Sequence, residues 1–224
     1  MNNITPKKIK DKSNSYSKKK QSSKNVKKSS KKKHNRTSSS KITKTKYLSL
    51  KSLSLNPDNK HIYEICEGID KILSEIISKN KNLCSYENIL SKQKDNIFSL
   101  KKIPKITITN FLRRIIAYAD IECSTLFLSI VYLHKILEKC LFLTEYNVHK
   151  LLSISILIAI KYNEDKISNN TYYGKVFGLT IKDVNFLEYS YLQLLDFNVF
   201  IKHRHIKKFF DFLYQKIFVG VNNP

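Results

Sequence analysis

One apolar run constrains the fold more than any other feature of the sequence. Between Lys150 and Lys161 stand ten uncharged residues, LLSISILIAI. A helix built from this run is apolar nearly all round, which is typical of a core helix wrapped by other helices. The run is about half as long as a bilayer-spanning helix. The sequence therefore predicts a small all-helical domain with this helix at its centre, where Ser153 and Ser155 leave room for close helix approach.

Most of the positive charge lies outside that domain. Residues 1–60 hold 19 Lys and Arg against two acids, and so supply +17 of the formal net charge of +23. Residues 1–57 have almost nothing to bury and cannot offset their conformational entropy, so we expect a disordered Lys/Ser-rich tail. The remaining 164 residues carry a net charge of only +6, and they are enough for one domain with a real core.

The lysine clusters of the tail leave three interpretations open. They fit a nuclear import signal bound by an import receptor, a contact for nucleic acid or an anionic membrane, or a solvated tail. The candidate import residues are Lys18, Lys19, Lys20, Lys31, Lys32 and Lys33. We accordingly expect a nuclear or cytoplasmic protein, or one found in both compartments. We expect no membrane span, because no apolar run is long enough.

Apolar residues at helical spacing, together with capping residues, predict seven helices. Ser168, Asn169 and Asn170 are natural N-caps, Gly178 suits a helix C-terminus, and Thr180 with Asp183 resembles a capping box. Residues 80–105 are predicted to form a linker with a short helical piece. The β-branched run 103–108 also fits a strand, which is the weaker alternative to a helix. The predicted helices cover about 60–79, 107–119, 123–140, 145–163, 180–196 and 203–217, with a short helix that follows residues 168–170 and stops at Gly178.

Catalytic motifs are missing from this sequence. Its four glycines form no phosphate-binding loop, and neither a nucleophile elbow nor a zinc-protease helix motif is present. The histidines are scattered, and the cysteines show no metal-ligand spacing, so we expect reduced, buried thiols. These cysteines are Cys66, Cys84, Cys123 and Cys140. We therefore expect no enzyme, no metal and no cofactor.

Two charged residues next to apolar segments stand out by elimination. Lys161 follows the apolar run directly, and Glu188 lies within an otherwise apolar and aromatic helix. From spacing alone, Lys161 complements the helix dipole and Glu188 is a solvated or internally paired acid. A role in binding a partner is the alternative.

Three segments together resemble a known family. They are NVHKLLSISILIAIKYNEDK, SNNTYYGKVFGLT and DVNFLEYSYLQLLDFNV, preceded by FLSIVYLHKIL. They are similar to the cyclin box, most closely to the P-type or U-type cyclins that include the phosphate-signalling cyclins. The N-x-Y-Y-x-x-V-x-G segment, from Asn170 to Gly178, is the most specific part. The resemblance implies a five-helix cyclin fold over 104–200, with flanking helices in 58–103 and 201–224.

The same resemblance implies a kinase-binding surface. Lys161 and Glu188 match the lysine and glutamate with which cyclins hold a cyclin-dependent protein kinase beside its mobile αC helix. The positions expected around them are Tyr162, Ile158, Leu192, Val199 and Glu164. The implied function is a regulatory subunit that binds and allosterically activates the kinase.

The sequence departs from the family pattern in three places. His134 stands where the family usually has Asp, and Phe177 replaces a common glycine. The expected arginine of the first box helix matches either Arg113 or Arg114. These positions should affect the affinity for a partner more than they affect the fold.

Two other functions remain open at the level of sequence. One is a cyclin-fold transcription protein that binds nucleic acid through the basic tail. Such proteins usually carry two boxes, whereas this chain has room for one. The other is a helical scaffold anchored by its tail.

Overall fold

A computed structural model describes residues 60–83, 85–93, 96–139 and 142–219, except for the side chains of residues 60, 61, 92, 93, 203, 218 and 219. Eight α-helices account for most of these residues, and a π-helical turn, Gln215–Val219, follows the last of them. The helices are α1 Lys60–Lys81, α2 Tyr86–Gln93, α3 Ile108–Ala119, α4 Cys123–Glu138, α5 Val148–Asn163, α6 Asn170–Phe177, α7 Ile181–Leu194 and α8 His203–Tyr214.

The all-helical prediction is confirmed for the described residues, and all seven predicted helices are present. Helix α2 adds an eighth, within the segment predicted to be a linker with a short helical piece. The strand alternative at 103–108 is wrong, because residues 103–107 form an irregular connection and α3 begins at Ile108. Five helices, α3 to α7, lie within the range 104–200, while the domain boundaries themselves stay a prediction.

Helix α5 is the centre of the bundle, as its apolar run predicts. Every residue from Leu151 to Ile160 is buried, and α5 packs most extensively against α4 and also against α7. Ser153 and Ser155 are buried too, and their hydroxyls donate to the carbonyls of His149 and Leu152. These hydrogen bonds within the helix remove the penalty of burying two hydroxyl groups.

Local capping explains where the helices around α5 begin and end. The side chains of Thr107, Asn169 and Thr180 each accept a hydrogen bond from a backbone N–H in the first turn of α3, α6 and α7. Gly178 ends α6 in the left-handed conformation, at φ 74°. The predicted caps at Asn169, Gly178 and Thr180 are therefore confirmed. They fix the short α6 between α5 and α7.

Helix α1 packs against α3 and extends the core. The Asp70 carboxylate accepts hydrogen bonds from the Thr109 N–H at 3.0 Å and from the Thr109 hydroxyl at 2.7 Å. Cys66 and Cys123 are buried free thiols, and burial raises the pKa of each to about 12. The prediction of reduced, buried thiols is confirmed for these two, whereas Cys84 and Cys140 lie outside the described residues.

The lysine clusters of the tail, Lys18 to Lys20 and Lys31 to Lys33, lie outside the described residues as well. Import, nucleic-acid binding and localisation therefore stay predictions. Within the part of the chain that the structure describes, no helix combines the length and apolarity that crossing a bilayer requires.

Candidate protein-interaction surface

Lys161 and Glu188 meet at the rim of the bundle. The Lys161 ammonium lies 2.6 Å and 2.8 Å from the two carboxylate oxygens of Glu188. Lys161 is the first exposed residue after the buried run of α5, and Glu188 lies one residue beyond the buried Leu187 of α7. Because α7 packs on α5, the two charges share one edge, with side chains 34% and 14% exposed. The internal pairing that the sequence left open is thus present in the structure.

A second donor contacts the same carboxylate. The Asn170 side-chain amide donates to Glu188 Oε2 at 2.8 Å and to Asn185 Oδ1 at 2.7 Å. Asn170 is the first residue of α6, so it links the start of that helix to the middle of α7. The sequence offered one signal for this role, the position of Asn170 at the head of the N-x-Y-Y-x-x-V-x-G segment.

Exposed apolar and aromatic side chains follow both members of the charged pair along the chain. Tyr162, next to Lys161, is 45% exposed, and Leu192, one turn after Glu188, is partly buried against the core. The backbone N–H of Phe197 donates to the Leu192 carbonyl at 2.8 Å, which places Phe197 beside Leu192. Phe197 is 58% exposed, and its ring lies 6.0 Å from that of Tyr189, which is also exposed. Sequence reasoning did not identify Phe197 or Tyr189.

The turn after α7 presents Phe197 through an unusual backbone. Asp196 and Phe197 both have positive φ angles, 53° and 54°, a conformation that is unfavourable for residues other than glycine. Lys139, which directly follows α4, holds this turn, since its ammonium donates to the Leu194 carbonyl and pairs with the Asp196 carboxylate. The Tyr132 hydroxyl likewise donates to the Val199 carbonyl at 2.8 Å. Two strained residues therefore persist because α4 fixes their surroundings.

We define the pair Lys161 and Glu188 together with Tyr162, Tyr189, Leu192, Phe197 and Val199 as the rim surface. It combines one cation, one anion and several partly or fully exposed apolar side chains. Such a mixture suits a protein partner, because apolar anchors supply binding energy and charged groups fix the register.

Two residues predicted to bind the partner have other roles. Ile158 is only 3% exposed, so its side chain belongs to the core beneath the rim surface and offers a partner no area. The Glu164 carboxylate accepts hydrogen bonds from the Glu122 N–H at 2.8 Å and from the Thr125 hydroxyl. Glu164 therefore caps the N-terminus of α4, where the Glu122 side chain makes no capping bond.

The three departures from the family pattern have local explanations. His134 is exposed, stacks on Phe209 and lies 3.7 Å from the Glu138 carboxylate. Phe177 is buried and stacks on Tyr173, so it fills the space beside α6. Of the two candidate arginines, one contacts α1 and the other α6. Arg113 lies over the Tyr63 ring at 5.1 Å, and Arg114 donates to the Lys175 carbonyl at 3.0 Å.

Among the described residues, no three His, Cys, Asp or Glu side chains come together as a group that could hold a metal ion.

Comparisons with known proteins agree with this architecture. The family model described as Cyclin matches residues 4–199. Cyclin-U4-1 of Arabidopsis thaliana is 33% identical over 127 residues, which are 56% of this chain and 63% of the relative. Cyclin-U4-3 of the same plant is 31% identical over 146 residues, 60% of this chain and 67% of the relative. The PHO85 cyclin-like protein psl1 of Schizosaccharomyces pombe is 33% identical over 121 residues, 52% of this chain and 49% of the relative. The chain thus spans between about half and two thirds of the length of these relatives.

Proposed function

The chain belongs to the cyclin family, and within it to the P-type and U-type group; on that premise we propose that it binds a cyclin-dependent protein kinase and activates it allosterically. Cyclins are regulatory proteins without catalytic activity of their own, so the proposal assigns all chemistry to the kinase. The rim surface is the proposed contact, and its central observation is the Lys161 to Glu188 pair flanked by exposed aromatic rings.

The chemistry of the pair suits recognition of a kinase backbone. Lys161 offers three donors to partner carbonyls, and the Glu188 carboxylate accepts from partner N–H groups. In the free chain each group is neutralised by the other, so neither charge is left uncompensated at the rim. Binding exchanges part of this contact for contacts of similar strength, and the exposed rings of Tyr162 and Phe197 supply apolar area.

The mechanism is a shift of population in the kinase. A protein kinase needs the ion pair between its strand lysine and its αC glutamate for phosphoryl transfer. A subunit that binds the active arrangement more tightly than the inactive one shifts the equilibrium by that difference in affinity. Moving from 1% to 99% active requires about 5.5 kcal/mol. An interface of about 2,000 Å² around the rim surface is large enough to provide this difference.

The experiment measures stimulation of kinase activity. The full chain and its variants are titrated into a panel of purified cyclin-dependent kinases, each free of its own cyclin, with a generic phosphoacceptor peptide. For a kinase that responds to the unchanged chain, Lys161→Ala and Glu188→Ala should each reduce stimulation by about 100-fold, equivalent to about 2.7 kcal/mol. The loss has a physical cause, because each change removes one half of the contact with the kinase backbone.

The chain offers a matched control in a second Lys–Glu pair. Lys81 and Glu145 lie 2.7 Å apart with side chains 41% and 38% exposed, close to the N-terminal end of α5. Lys161 is near the other end of that 16-residue helix, about 20 Å from its first residue along the axis. Lys81→Ala and Glu145→Ala should leave stimulation unchanged. Normal stimulation by both rim variants, or equal losses at both pairs, would contradict the proposal.

A further inference from the structure

The Glu188 carboxylate has two donors of different kinds. Lys161 is a flexible side chain with three rotatable donors, and its ammonium contacts both carboxylate oxygens. Asn170 is a short side chain on the first residue of α6, and its amide contacts Oε2 alone. A kinase that recruits Lys161 removes one of these donors and leaves the other in place.

The orientation of the Asn170 amide is fixed by its neighbours. Glu188 can only accept hydrogen bonds when ionised, so the Asn170 group that faces it must be the NH₂ group. The same NH₂ group reaches Asn185 Oδ1 at 2.7 Å. The Asn170 Oδ1 atom is then buried, and it accepts no hydrogen bond from the residues that the structure describes. A buried acceptor without a hydrogen bond is unfavourable. The amide orientation that donates to Glu188 therefore has a cost in free energy at the Asn170 oxygen.

The start of α6 does not need the Asn170 side chain. Asn169, the residue before it, caps the helix by accepting from the Tyr172 N–H at 2.9 Å. Two adjacent asparagines of one helix terminus thus have separate partners. Asn169 satisfies the helix backbone, and Asn170 contacts Glu188 and Asn185 on α7.

We propose that Asn170 is a positioning residue, which holds the Glu188 carboxylate towards the kinase backbone when Lys161 turns to donate to kinase carbonyls. This inference rests on the proposed function. Without Asn170, a carboxylate that has lost Lys161 is free to rotate, and part of the binding free energy is spent on ordering it. Asn170 therefore acts through Glu188 and needs no contact of its own with the kinase.

The test compares Asn170→Ala with Asn169→Ala in the full chain, using a kinase from the panel that binds the unchanged chain. Asn170→Ala should weaken binding by about tenfold, because it removes one hydrogen bond to a charged group. Asn169→Ala should lower the melting temperature through loss of the cap and leave the affinity within about twofold. The two variants have the same composition and alter the same helix terminus.

Asn170→Asp separates positioning from structural support. The aspartate has the size of asparagine, and a negative charge at the N-terminus of α6 favours the helix, so folding should be maintained. It also places a carboxylate against Glu188 and removes the donor. Affinity should therefore fall at least as far as with Asn170→Ala. Binding as tight as that of the unchanged chain would overturn the inference.

A double-mutant cycle completes the test. In a Glu188→Ala background, Asn170→Ala should cause no further loss of affinity, whereas an equal tenfold loss in both backgrounds would show that Asn170 acts elsewhere and overturn the inference.

NMR spectra of the free chain test the contact itself. The side-chain amide signals of Asn170 should shift with Glu188→Ala and should not shift with Lys81→Ala, a substitution far from Asn170. If the unchanged chain binds a kinase and Asn170→Ala binds equally well, only this inference fails. If the unchanged chain binds none of the panel, the proposed function fails first.

Discussion

The two ends of helix α5 differ in how their polar groups are used. At the N-terminal end, the Asn147 side chain accepts from the Thr144 N–H and donates to the Phe142 carbonyl, both at 2.8 Å, and it is fully buried. His149, also buried, hydrogen-bonds to the Ile106 carbonyl. At the C-terminal end, Lys161 and Tyr162 emerge from the core within two residues of Ile160.

The contrast teaches which polar groups serve the fold. Asn147 and His149 at the N-terminal end are buried and bonded to backbone, so their removal takes hydrogen bonds from backbone groups next to the core. At the C-terminal end, Glu164 does the same work for α4, while the Lys161 to Glu188 pair joins two side chains at the rim. Lys81 and Glu145 form a similar exposed pair near the N-terminal end, so the comparison of the two pairs by mutation is what tests the proposed role of Lys161 and Glu188.

The largest effect on stability is expected at the N-terminal end. Asn147→Ala should lower the free energy of unfolding by about 3 kcal/mol, because it takes one hydrogen bond from the buried Thr144 N–H and one from the partly buried Phe142 carbonyl. Chemical denaturation measures the change. Stimulation of kinase per folded molecule should stay normal. If stimulation falls although the protein is folded, the two ends are not separate in function.

Glu164→Ala tests the structural carboxylate at the C-terminal end. We expect a loss of about 2 kcal/mol, since the Glu122 N–H and the Thr125 hydroxyl lose a charged acceptor. For a domain of this size the melting temperature should fall by about 4–8 °C. The neighbouring Asp165 is exposed, so Asp165→Ala is the matched control and should change the melting temperature little. Equal effects of both substitutions would argue against the cap.

Phe197→Ala sharpens the role of the rim surface. The side chain is largely exposed, so its removal should hardly affect stability, yet affinity for a responding kinase should fall about tenfold through loss of an apolar anchor. Isothermal titration calorimetry gives the affinity. Phe212, half exposed on α8, is the control, and Phe212→Ala should bind normally. A larger loss with Phe212→Ala would move the contact away from the rim.

The smallest effect concerns pH and His149. Burial lowers the pKa of His149 below its ordinary value of 6.5, while its hydrogen bond to Ile106 opposes the shift. As the pH falls through 6.5, the unfolded chain takes up a proton that the folded chain does not. Stability should therefore decrease below pH 6.5 until the folded state is protonated too. Denaturation curves measured at several pH values between 7.5 and 5 give the free energy of unfolding at each pH. This free energy should depend less on pH for His149→Gln than for the unchanged chain.

Helix positions were predictable from the sequence, because their signals are local. The apolar run of α5, the caps at Asn169 and Thr180 and the stop at Gly178 all lie within a few residues of the boundaries they set. Helix α2 was not identified as a separate helix, since its segment lacks a regular apolar stripe.

The site was only partly predictable. Lys161 and Glu188 are 27 positions apart, and spacing alone predicts only that Lys161 complements a helix dipole and that Glu188 is solvated or internally paired. Their shared kinase-binding role is predicted from the family resemblance and stays a prediction. The bridge from Asn170 to Glu188 and the left-handed turn at Phe197 depend on how α6, α7 and α4 pack. Such contacts between helices leave no periodic trace in the sequence. The cap formed by Glu164 was missed for the same reason, because its partners are about 40 positions earlier.

Hydrogen–deuterium exchange of the backbone amides, with and without a responding kinase, tests the central claim most directly. Contact at the rim surface predicts slower exchange in residues 161–164 and 187–200 of the complex, and unchanged exchange in residues 142–150 around the other end of α5. Protection confined to residues 142–150, or an active complex without protection in 187–200, would contradict the claim that the Lys161 and Glu188 edge holds the kinase.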